Sequence, residues 1–484
     1  MAEPQTDEGA YSYSAWLMTQ DMVPYRDSFE HKPPLIIFTY LFSFLFSKTA
    51  YWPPRMLAFI FELSTIILVG LVLKKEYSRR TALIAMWLLP AMNSLVYLAP
   101  YSVSTEKFAL TPLLGALLLY VHKRNKKTSL SWFFFGVLSA VSIYYKPVVL
   151  PILFFIYFVW IIENWERFSD KKMWIKNNLL SISGFLLTTL IVFSFFIAKG
   201  AMNSVVECII VFNKYYIESF GFSITHLFRY IKTFFSSWWP LYILLVIYFI
   251  KRQKRWWFYG GLFFSCLLTI YSSPLPYYYI LLVPFLAIIS AITLDSFYSK
   301  KKKIQFNLIL LAVVITISLP LKKNIFLSPT QLNTLVYGRS HPFIESPIVA
   351  NRLSQLTDPE DTIFVGGSEP QLLFQSQRKS ATRFSNVYPL TLDSPKVIEY
   401  QKQAMLDLSK SKPKAIVYSR MAASWQWKPS APSDFSQHLT KLMKDEYQLT
   451  GGFIWEENGG RWQEPIGEEQ LSKASLLLFI RNEI

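Results

Sequence analysis

Long apolar segments and short basic loops alternate along the chain up to residue 322. The apolar segments are about 14–20 residues long, the length at which an α-helix crosses a hydrocarbon core at ~1.5 Å per residue. The five loops hold twenty Lys and Arg residues against four Asp and Glu, which accounts for +16 of the net charge of +17. They lie at residues 74–80, 123–127, 163–176, 251–255 and 300–303. Short loops rich in Lys and Arg mark the cytoplasmic side of a membrane protein.

The order of these loops predicts ten transmembrane helices. Two apolar segments separate each basic loop from the next, so all five loops fall on one side of the membrane. The predicted spans are residues 56–73, 81–98, 108–121, 131–145, 148–162, 179–198, 233–250, 256–272, 277–296 and 304–321. With 52% hydrophobic and 17% charged residues, the composition excludes an ordinary soluble protein. Because the positive charge is confined to these loops, it does not indicate binding to nucleic acid.

The apolar segment 35–47 is about thirteen residues long, which is typical of an interfacial helix rather than a span. Counting it as a span would also move every basic loop to the opposite side of the membrane. We therefore predict that residues 1–55 form an outer loop with juxtamembrane helices. Nothing before Asp7 is apolar enough to carry this loop across a membrane, so we expect that a first transmembrane helix is missing from the sequence.

Residues 323–484 carry most of the Ser, Gln, Asp and Glu of the chain and alternate short β-like and helix-like runs. The predicted strands are 362–365, 415–418 and 476–480, and the predicted helices are 395–411 and 433–446. The sequence therefore predicts an all-α polytopic membrane domain with about ten transmembrane helices (56–322), followed by a small α/β extracytoplasmic domain (323–484). The two cysteines, Cys208 and Cys266, do not suggest a disulfide or metal framework.

Acidic residues on the predicted outer face are few. Asp7 and Glu8 are adjacent, and Glu106 stands where a predicted span begins. Each could be an ordinary acid at a helix N-terminus, or a general base or metal ligand next to a site in the bilayer. Glu62 lies within a predicted span, where an unpaired carboxylate is costly, so we expect it to be paired.

Three cations lie at the same face. Lys32 precedes Pro33-Pro34, Arg55 follows Pro53-Pro54, and Lys146 precedes Pro147. Cations at this depth suit the phosphate or pyrophosphate of a lipid carrier, although long basic side chains also extend to the interface without binding anything. Tyr277 and Tyr278 fit an interfacial aromatic belt or a stacking surface for a sugar. The five histidines are scattered, and no glycine-rich phosphate loop is seen.

Three motifs at the start of the chain resemble the first outer loop of polytopic C-type (GT-C) glycosyltransferases. The nearest in pattern are bacterial members of glycosyltransferase family 39, akin to protein O-mannosyltransferases, and the aminoarabinose transferases of lipid A. The motifs are Asp7-Glu8-Gly9-Ala10-Tyr11, Val23-Pro24-Tyr25-Arg26-Asp27 and His31-Lys32-Pro33-Pro34-Leu35. The resemblance extends to Thr105-Glu106, Tyr145-Lys146-Pro147 and part of the C-terminal region. Relatives often have His where this chain has Tyr277.

The resemblance implies a multi-pass enzyme of the cytoplasmic membrane that moves a sugar from a polyprenyl-phosphate-linked donor to a cell-envelope acceptor on the outer face. The acceptor could be a lipid, a polysaccharide or a protein. Asp7 would act at the acceptor, as a general base or through a divalent metal, with Glu8 and Glu106 as supporting acids; Asp7 and Glu106 are the possible metal ligands. The implied phosphate-binding residues are Lys32, Arg55 and Lys146, and the implied substrate-binding residues are Tyr11, His31, Tyr277 and Tyr278.

Two other functions remain possible from the sequence. A transporter or flippase of a lipid-linked sugar could use the same cations for binding, but transporters more often show internal repeats and helix pairs broken at mid-membrane. A structural anchor for residues 323–484 would need neither ten spans nor an acidic first loop.

Overall fold

The computed structural model describes residues 5–95, 98, 102–123, 130–165, 171–220, 224–270, 275–319, 326–456 and 459–482. In the described residues up to 318 the secondary-structure elements are helices, and a six-stranded sheet with flanking helices forms the C-terminal part. The predicted combination of a helical domain and a small α/β domain is therefore found. The predicted boundaries at residues 55 and 322 stay predictions.

Helices occupy all ten positions at which spans are predicted. They are α3 (Trp52–Glu76), α4 (Arg79–Asn93), α5 (Thr105–Lys123), α6 (Ser131–Tyr145), α7 (Leu150–Trp165), α8 (Lys171–Ala198), α11 (Ile224–Lys251), α12 (Trp256–Ile270), α13 (Val283–Ser296) and α14 (Lys303–Ser318). Three segments among the described residues are both long and apolar enough to cross a membrane, namely Trp52–Glu76, Lys171–Ala198 and Ile231–Lys251. The count of ten spans remains a prediction.

The remaining helices of the first part lie between these elements. Helix α1 (Thr6–Met18) and helix α2 (Leu35–Ser43) precede α3, and α9 (Met202–Val206), a π-helical turn (Glu207–Phe212) and α10 (Asn213–Phe220) follow α8. Helix α2 matches the predicted short apolar helix. The two cysteines are free and buried.

Glycines bring α6 and α8 into close contact. A Cβ atom on Gly136 would lie 1.9 Å from the carbonyl oxygen of Ser181, and one on Gly184 would lie 2.0 Å from that of Phe133. Both positions therefore require glycine, as is common where helices pack closely in membranes. Glu62 in α3 pairs with Lys107 in α5 at 3.0 Å, which confirms the predicted pairing of this carboxylate.

The C-terminal domain contains a mixed sheet with the strand order β2-β1-β3-β6-β4-β5. The strands are β1 (Thr362–Gly366), β2 (Lys379–Ser380), β3 (Ala415–Ser419), β4 (Tyr447–Glu456), β5 (Gly459–Gln463) and β6 (Ala474–Arg481). Strand β1 is parallel to β2 and β3, and the other pairs are antiparallel. The predicted strands correspond to β1, β3 and β6. Strand β4 was not predicted, because Gly451 and Gly452 interrupt its apolar pattern.

Seven helices accompany the sheet. They are α15 (Pro329–Tyr337), α16 (Ser346–Leu356), α17 (Pro370–Ser376), α18 (Val397–Ser411), α19 (Ala422–Trp425), α20 (Asp434–Glu446) and α21 (Glu468–Leu471). Helices α18 and α20 match the two predicted helices. Helix α17 packs directly on α1, and at their contact a Cβ atom on Gly9 would lie 2.5 Å from the backbone nitrogen of Gln371. The C-terminal domain thus lies against the N-terminal motif.

Candidate active site

Glu8 anchors the first turn of α1 to its surroundings. Its carboxylate accepts two hydrogen bonds of 2.9 Å from the guanidinium of Arg55, one of 3.3 Å from the backbone N–H of Val103 and one of 3.2 Å from that of Gln5. The side chain is 1% exposed. The two-pronged arrangement is the strongest that Arg and a carboxylate form, so Arg55 and Glu8 hold α1 against α3.

Asp7 occupies the position beside this anchor but points elsewhere, since successive residues on a helix are about 100° apart. It is half-buried, and among the described residues it has no hydrogen bond or ion pair. Its charge is felt by Tyr11, whose pKa is raised well above the usual value by burial first and then by Asp7 and Glu30. The same charge reaches Lys32. Burial and Lys146 act to lower the pKa of Lys32, and Asp7, Tyr278 and Tyr216 act to raise it; the pKa is raised on balance.

The second motif shapes the loop that carries Lys32. The carboxylate of Asp27 accepts a 2.7 Å hydrogen bond from the backbone N–H of Val23. Tyr25 has a positive φ of 71°, a conformation that is uncommon for residues other than glycine. Its hydroxyl donates a 2.7 Å hydrogen bond to the carbonyl oxygen of Lys32, so the turn fixes the backbone at the lysine.

Glu30 belongs to the same loop and was missed by the sequence analysis as a site residue. One of its oxygens accepts hydrogen bonds from the backbone N–H groups of His31, at 2.9 Å, and Lys32, at 3.0 Å. Burial raises the pKa of the Glu30 carboxyl to about 7, against the lowering effect of Lys32. The Nζ atom of Lys32 lies 2.6 Å from Nε2 of His31.

Lys146 and Glu106 form the other charged contact of the site. Their Nζ and Oε1 atoms are 2.7 Å apart, and both side chains are at most 5% exposed. Lys146 also donates a 3.1 Å hydrogen bond to the hydroxyl of Tyr278 and lies 4.2 Å from the centre of that ring. Glu106 follows the start of α5 and Lys146 follows the end of α6, so two helix ends converge here.

A cavity of about 490 Å³ brings the two lysines together. Lys32 and Lys146 form its buried charged part, the exposed Lys214 adds a third cation, and aliphatic side chains form much of the remaining wall. The other lining residues are His31, Pro33, Pro147, Val148, Ile209, Ile210, Asn213, Tyr216, Ile217, Leu275 and Tyr278. Of the predicted site residues, His31, Lys32, Lys146 and Tyr278 therefore line one cavity.

The other predicted residues lie behind or beside this cavity. Glu106 contacts it through Lys146, and Asp7 acts on Lys32 through its charge. Tyr11 and Tyr277 share the electrostatic surroundings of Asp7. Arg55 is committed to Glu8 and does not line the cavity. Its predicted contact with a donor phosphate stays a prediction.

Residues 202–220 also contribute to the site, although the sequence did not predict this. Asn213 donates a 2.7 Å hydrogen bond to the carbonyl oxygen of His31, and the ring of Tyr216 lies 5.9 Å from Nζ of Lys32. In the predicted topology, residues 199–232 are only the outer connection between the spans 179–198 and 233–250. The run of aromatic and aliphatic residues from Ile209 to Tyr216 was the available signal.

A divalent metal was a possible partner of Asp7 and Glu106. In the ranges that the structure describes, no three His, Cys, Asp or Glu side chains are grouped so that they could hold a metal ion. Glu106 has the ammonium of Lys146 where a metal would otherwise balance its charge. The carboxylate of Asp7 has no hydrogen bond or ion pair among the described residues. The donor set therefore fits a lysine at Glu106 better than a metal shared by the two acids.

Comparison with known proteins identifies the fold of the chain. Residues 24–205 match the family of dolichyl-phosphate-mannose-protein mannosyltransferases. Among solved structures, ArnT from Cupriavidus metallidurans in the apo state superposes with a TM-score of 0.60 at 13% identity, covering 99% of this chain and 93% of ArnT. The chain has the GT-C fold. This confirms its resemblance to the polytopic glycosyltransferases of that class.

Two further structures support this result. ArnT from the same organism bound to undecaprenyl phosphate superposes with a TM-score of 0.63 at 13% identity, covering 99% of this chain and 94% of ArnT. The oligosaccharyltransferase of Archaeoglobus fulgidus, tethered to an acceptor peptide, superposes with a TM-score of 0.51 at 11% identity, covering 96% of this chain and 70% of the transferase. A search of curated proteins by sequence found no match.

Proposed function

We propose that this protein is a glycosyltransferase that takes a sugar from a polyprenyl-phosphate donor and transfers it to a cell-envelope acceptor at the outer face of the cytoplasmic membrane. The observation that carries the proposal is the cavity that holds Lys32 and Lys146 beside an aliphatic wall. A lipid phosphate offers both a charged group and an apolar chain, and this cavity complements both. The GT-C fold of the chain and the undecaprenyl phosphate bound to ArnT support the assignment.

In the proposed reaction the phosphate is the leaving group. An acceptor hydroxyl or amine attacks the anomeric carbon of the sugar, the bond from that carbon to the phosphate oxygen breaks, and the electron pair leaves with the polyprenyl phosphate. Lys32 and Lys146 stabilise the charge that develops on this phosphate. Asp7, which has an open carboxylate, accepts the proton of the acceptor as general base.

Glu8, Arg55 and Glu106 serve as positioning residues in this scheme. The pair of Glu8 and Arg55 fixes the turn of α1 from which Asp7 projects. Glu106 orients the ammonium of Lys146 and stabilises it in the absence of donor. Tyr278 lines the cavity, and the charge of Asp7 acts on Tyr11 and Tyr277, so we assign these three tyrosines to the sugar.

The phosphate-binding half of the proposal is tested by binding of undecaprenyl phosphate to the purified protein in detergent. Lys32→Met and Lys146→Met should each weaken binding by roughly 10- to 100-fold, since a hydrogen bond to a charged group contributes about 1.5–3 kcal/mol. Lys48→Met, which changes an exposed lysine away from the cavity, is the matched control. Equal affinity in all four proteins would contradict the assignment of the cavity.

The transfer half is tested with membranes that contain the protein and polyprenyl-phosphate-linked mannose or aminoarabinose labelled in the sugar. Wild-type protein should move the label into a lipid, polysaccharide or protein fraction, and Asp7→Asn should abolish this transfer while undecaprenyl phosphate still binds. A protein that binds the lipid but transfers no label from either donor would favour a transporter or flippase. Unchanged transfer by Asp7→Asn would exclude Asp7 as the base.

A further inference from the structure

Tyr388 connects the C-terminal domain to His31, a lining residue of the cavity that holds Lys32 and Lys146. Tyr388 opens a short 3₁₀ turn (Tyr388–Leu390), and its hydroxyl is hydrogen bonded to Nδ1 of His31. On the other side of the same ring, Nε2 of His31 lies 2.6 Å from Nζ of Lys32. Three side chains from two parts of the fold therefore form one continuous chain of hydrogen bonds that ends at a lysine of the cavity.

The direction of these hydrogen bonds follows from the chemistry of the groups. An ammonium group can only donate, so Nε2 of His31 must accept from Lys32. A neutral imidazole then carries its proton on Nδ1, which donates to the phenolic oxygen of Tyr388. Burial, followed by the charges of Lys32 and Lys146, lowers the pKa of His31 well below its usual value. His31 is thus neutral at neutral pH, with its proton on Nδ1.

The surroundings of His31 leave the ring little freedom to adopt another orientation. The ring is 4.9 Å from that of Tyr216 and 5.9 Å from that of Phe212, and it meets Tyr388 edge-on at 5.5 Å. His31 is 6% exposed. Its backbone is held by Asn213. Nδ1, the nitrogen that carries the proton, is hydrogen bonded to Tyr388, and Oε1 of Glu30 lies farther from it, at 3.5 Å.

We propose that Tyr388 of the C-terminal domain is a positioning residue for the donor site, because its hydroxyl accepts the Nδ1 proton of His31 and so stabilises the tautomer whose Nε2 accepts from Lys32. This inference rests on the proposed function for the identity of the ligand. One N–H of Lys32 is given to His31, and the other two remain available for phosphate oxygens. In the other tautomer, Nε2 would carry a proton and would repel the ammonium. The C-terminal domain would then be a part of the donor site rather than an appended module.

The first measurement needs no ligand. In protein labelled with ¹⁵N-histidine, the ring signals of His31, assigned by their loss in His31→Gln, should report a neutral ring with the proton on Nδ1. Tyr388→Phe should shift these signals towards a mixture of tautomers. Tyr13→Phe is the matched control, because its hydroxyl accepts a 2.7 Å hydrogen bond from the backbone N–H of Ser380. It crosses the same boundary between domains without touching His31.

The second measurement is the affinity for undecaprenyl phosphate in detergent. Tyr388→Phe should weaken binding by roughly 5- to 10-fold, and Tyr13→Phe should change it by less than about twofold. In a His31→Ala background the effect of Tyr388→Phe should vanish, because the tyrosine acts through that ring. An equal loss in both backgrounds, or unchanged His31 signals in Tyr388→Phe, would overturn the inference.

The two measurements separate this inference from the proposed function. Wild-type protein that binds no undecaprenyl phosphate, yet loses the Nδ1-protonated form of His31 in Tyr388→Phe, would contradict the proposed donor and support the role of Tyr388. Strong binding with a tautomer that does not depend on Tyr388 would support the donor and contradict that role.

Discussion

Glu106→Gln should destabilise the protein in the absence of lipid and should increase its affinity for a lipid phosphate. In the structure the carboxylate lies 2.7 Å from the ammonium of Lys146, and both side chains are almost fully buried. Removing one partner of a buried ion pair costs about 3–5 kcal/mol, because the other charge is left without compensation. Glutamine keeps the size of the side chain, so the loss should come from the charge rather than from packing.

A bound phosphate would supply the negative charge that glutamine lacks. Part of the cost in the empty protein should therefore be recovered on binding, and a recovery of about 1.4 kcal/mol corresponds to a tenfold gain in affinity. Thermal unfolding in detergent, with and without undecaprenyl phosphate, measures both effects. Glu106→Gln should have a lower midpoint than wild type without the lipid and a larger rise on its addition.

Glu163→Gln provides the matched control for this prediction. Glu163 pairs with Arg255 at 3.0 Å, and neither residue lines the cavity. This variant should be destabilised without any change in affinity for undecaprenyl phosphate. Weaker lipid binding by Glu106→Gln than by wild type would refute the reasoning, since it would mean that Glu106 does more than neutralise Lys146.

Three further predictions concern contacts of the C-terminal domain. Gly9→Ala should destabilise the protein by about 1–3 kcal/mol, because its Cβ would meet the backbone of Gln371; Gly467→Ala, with nothing closer than 3.8 Å, should be nearly neutral in the same thermal assay. Arg383→Met removes the 3.1 Å pair with Glu207 and a 2.8 Å bond to the Tyr25 carbonyl oxygen; hydrogen exchange at Tyr25 and Phe29 should become faster, and unchanged protection would count against this tether. Burial and, less strongly, Glu345 raise the pKa of Glu369 to about 8, so its protonated form stabilises the fold and this stability is lost as pH rises from about 4.5 through about 8. Glu369→Gln should flatten that fall in the unfolding midpoint, whereas Glu468→Gln, at an exposed position, should not.

The positions of the helices could be read from the sequence because each depends on local composition. Every predicted span corresponds to a helix, since a run of apolar residues favours the same structure wherever it packs. The predicted membrane topology rests on the spacing of basic loops, which is also a local property. Strands β4 and β5 were not predicted, because their stability comes from pairing with distant residues rather than from their own pattern.

The site residues show the same difference between local signals and long-range contacts. Lys32, Lys146, Asp7 and Glu106 were predicted because each is an ionisable residue at the expected edge of an apolar segment. Tyr388 was out of reach, since it is 357 positions from His31 in the chain and has nothing unusual around it in the sequence. The role of Arg55 was also obscure, because only the structure brings its guanidinium to Glu8.

The charges of Lys32 and Lys146 are compensated in different ways, and this difference affects how each lysine would bind the phosphate. Two cations that share a buried site repel each other, and burial adds a further cost to each. Lys146 is balanced by direct contact with a carboxylate, whereas Lys32 contacts a neutral imidazole and feels Asp7 only through space. Lys32 is therefore the less neutralised cation and should attract the phosphate more strongly. When the acceptor proton neutralises Asp7, that balance shifts further, so Lys32 should hold the departing phosphate more tightly at the moment its charge develops.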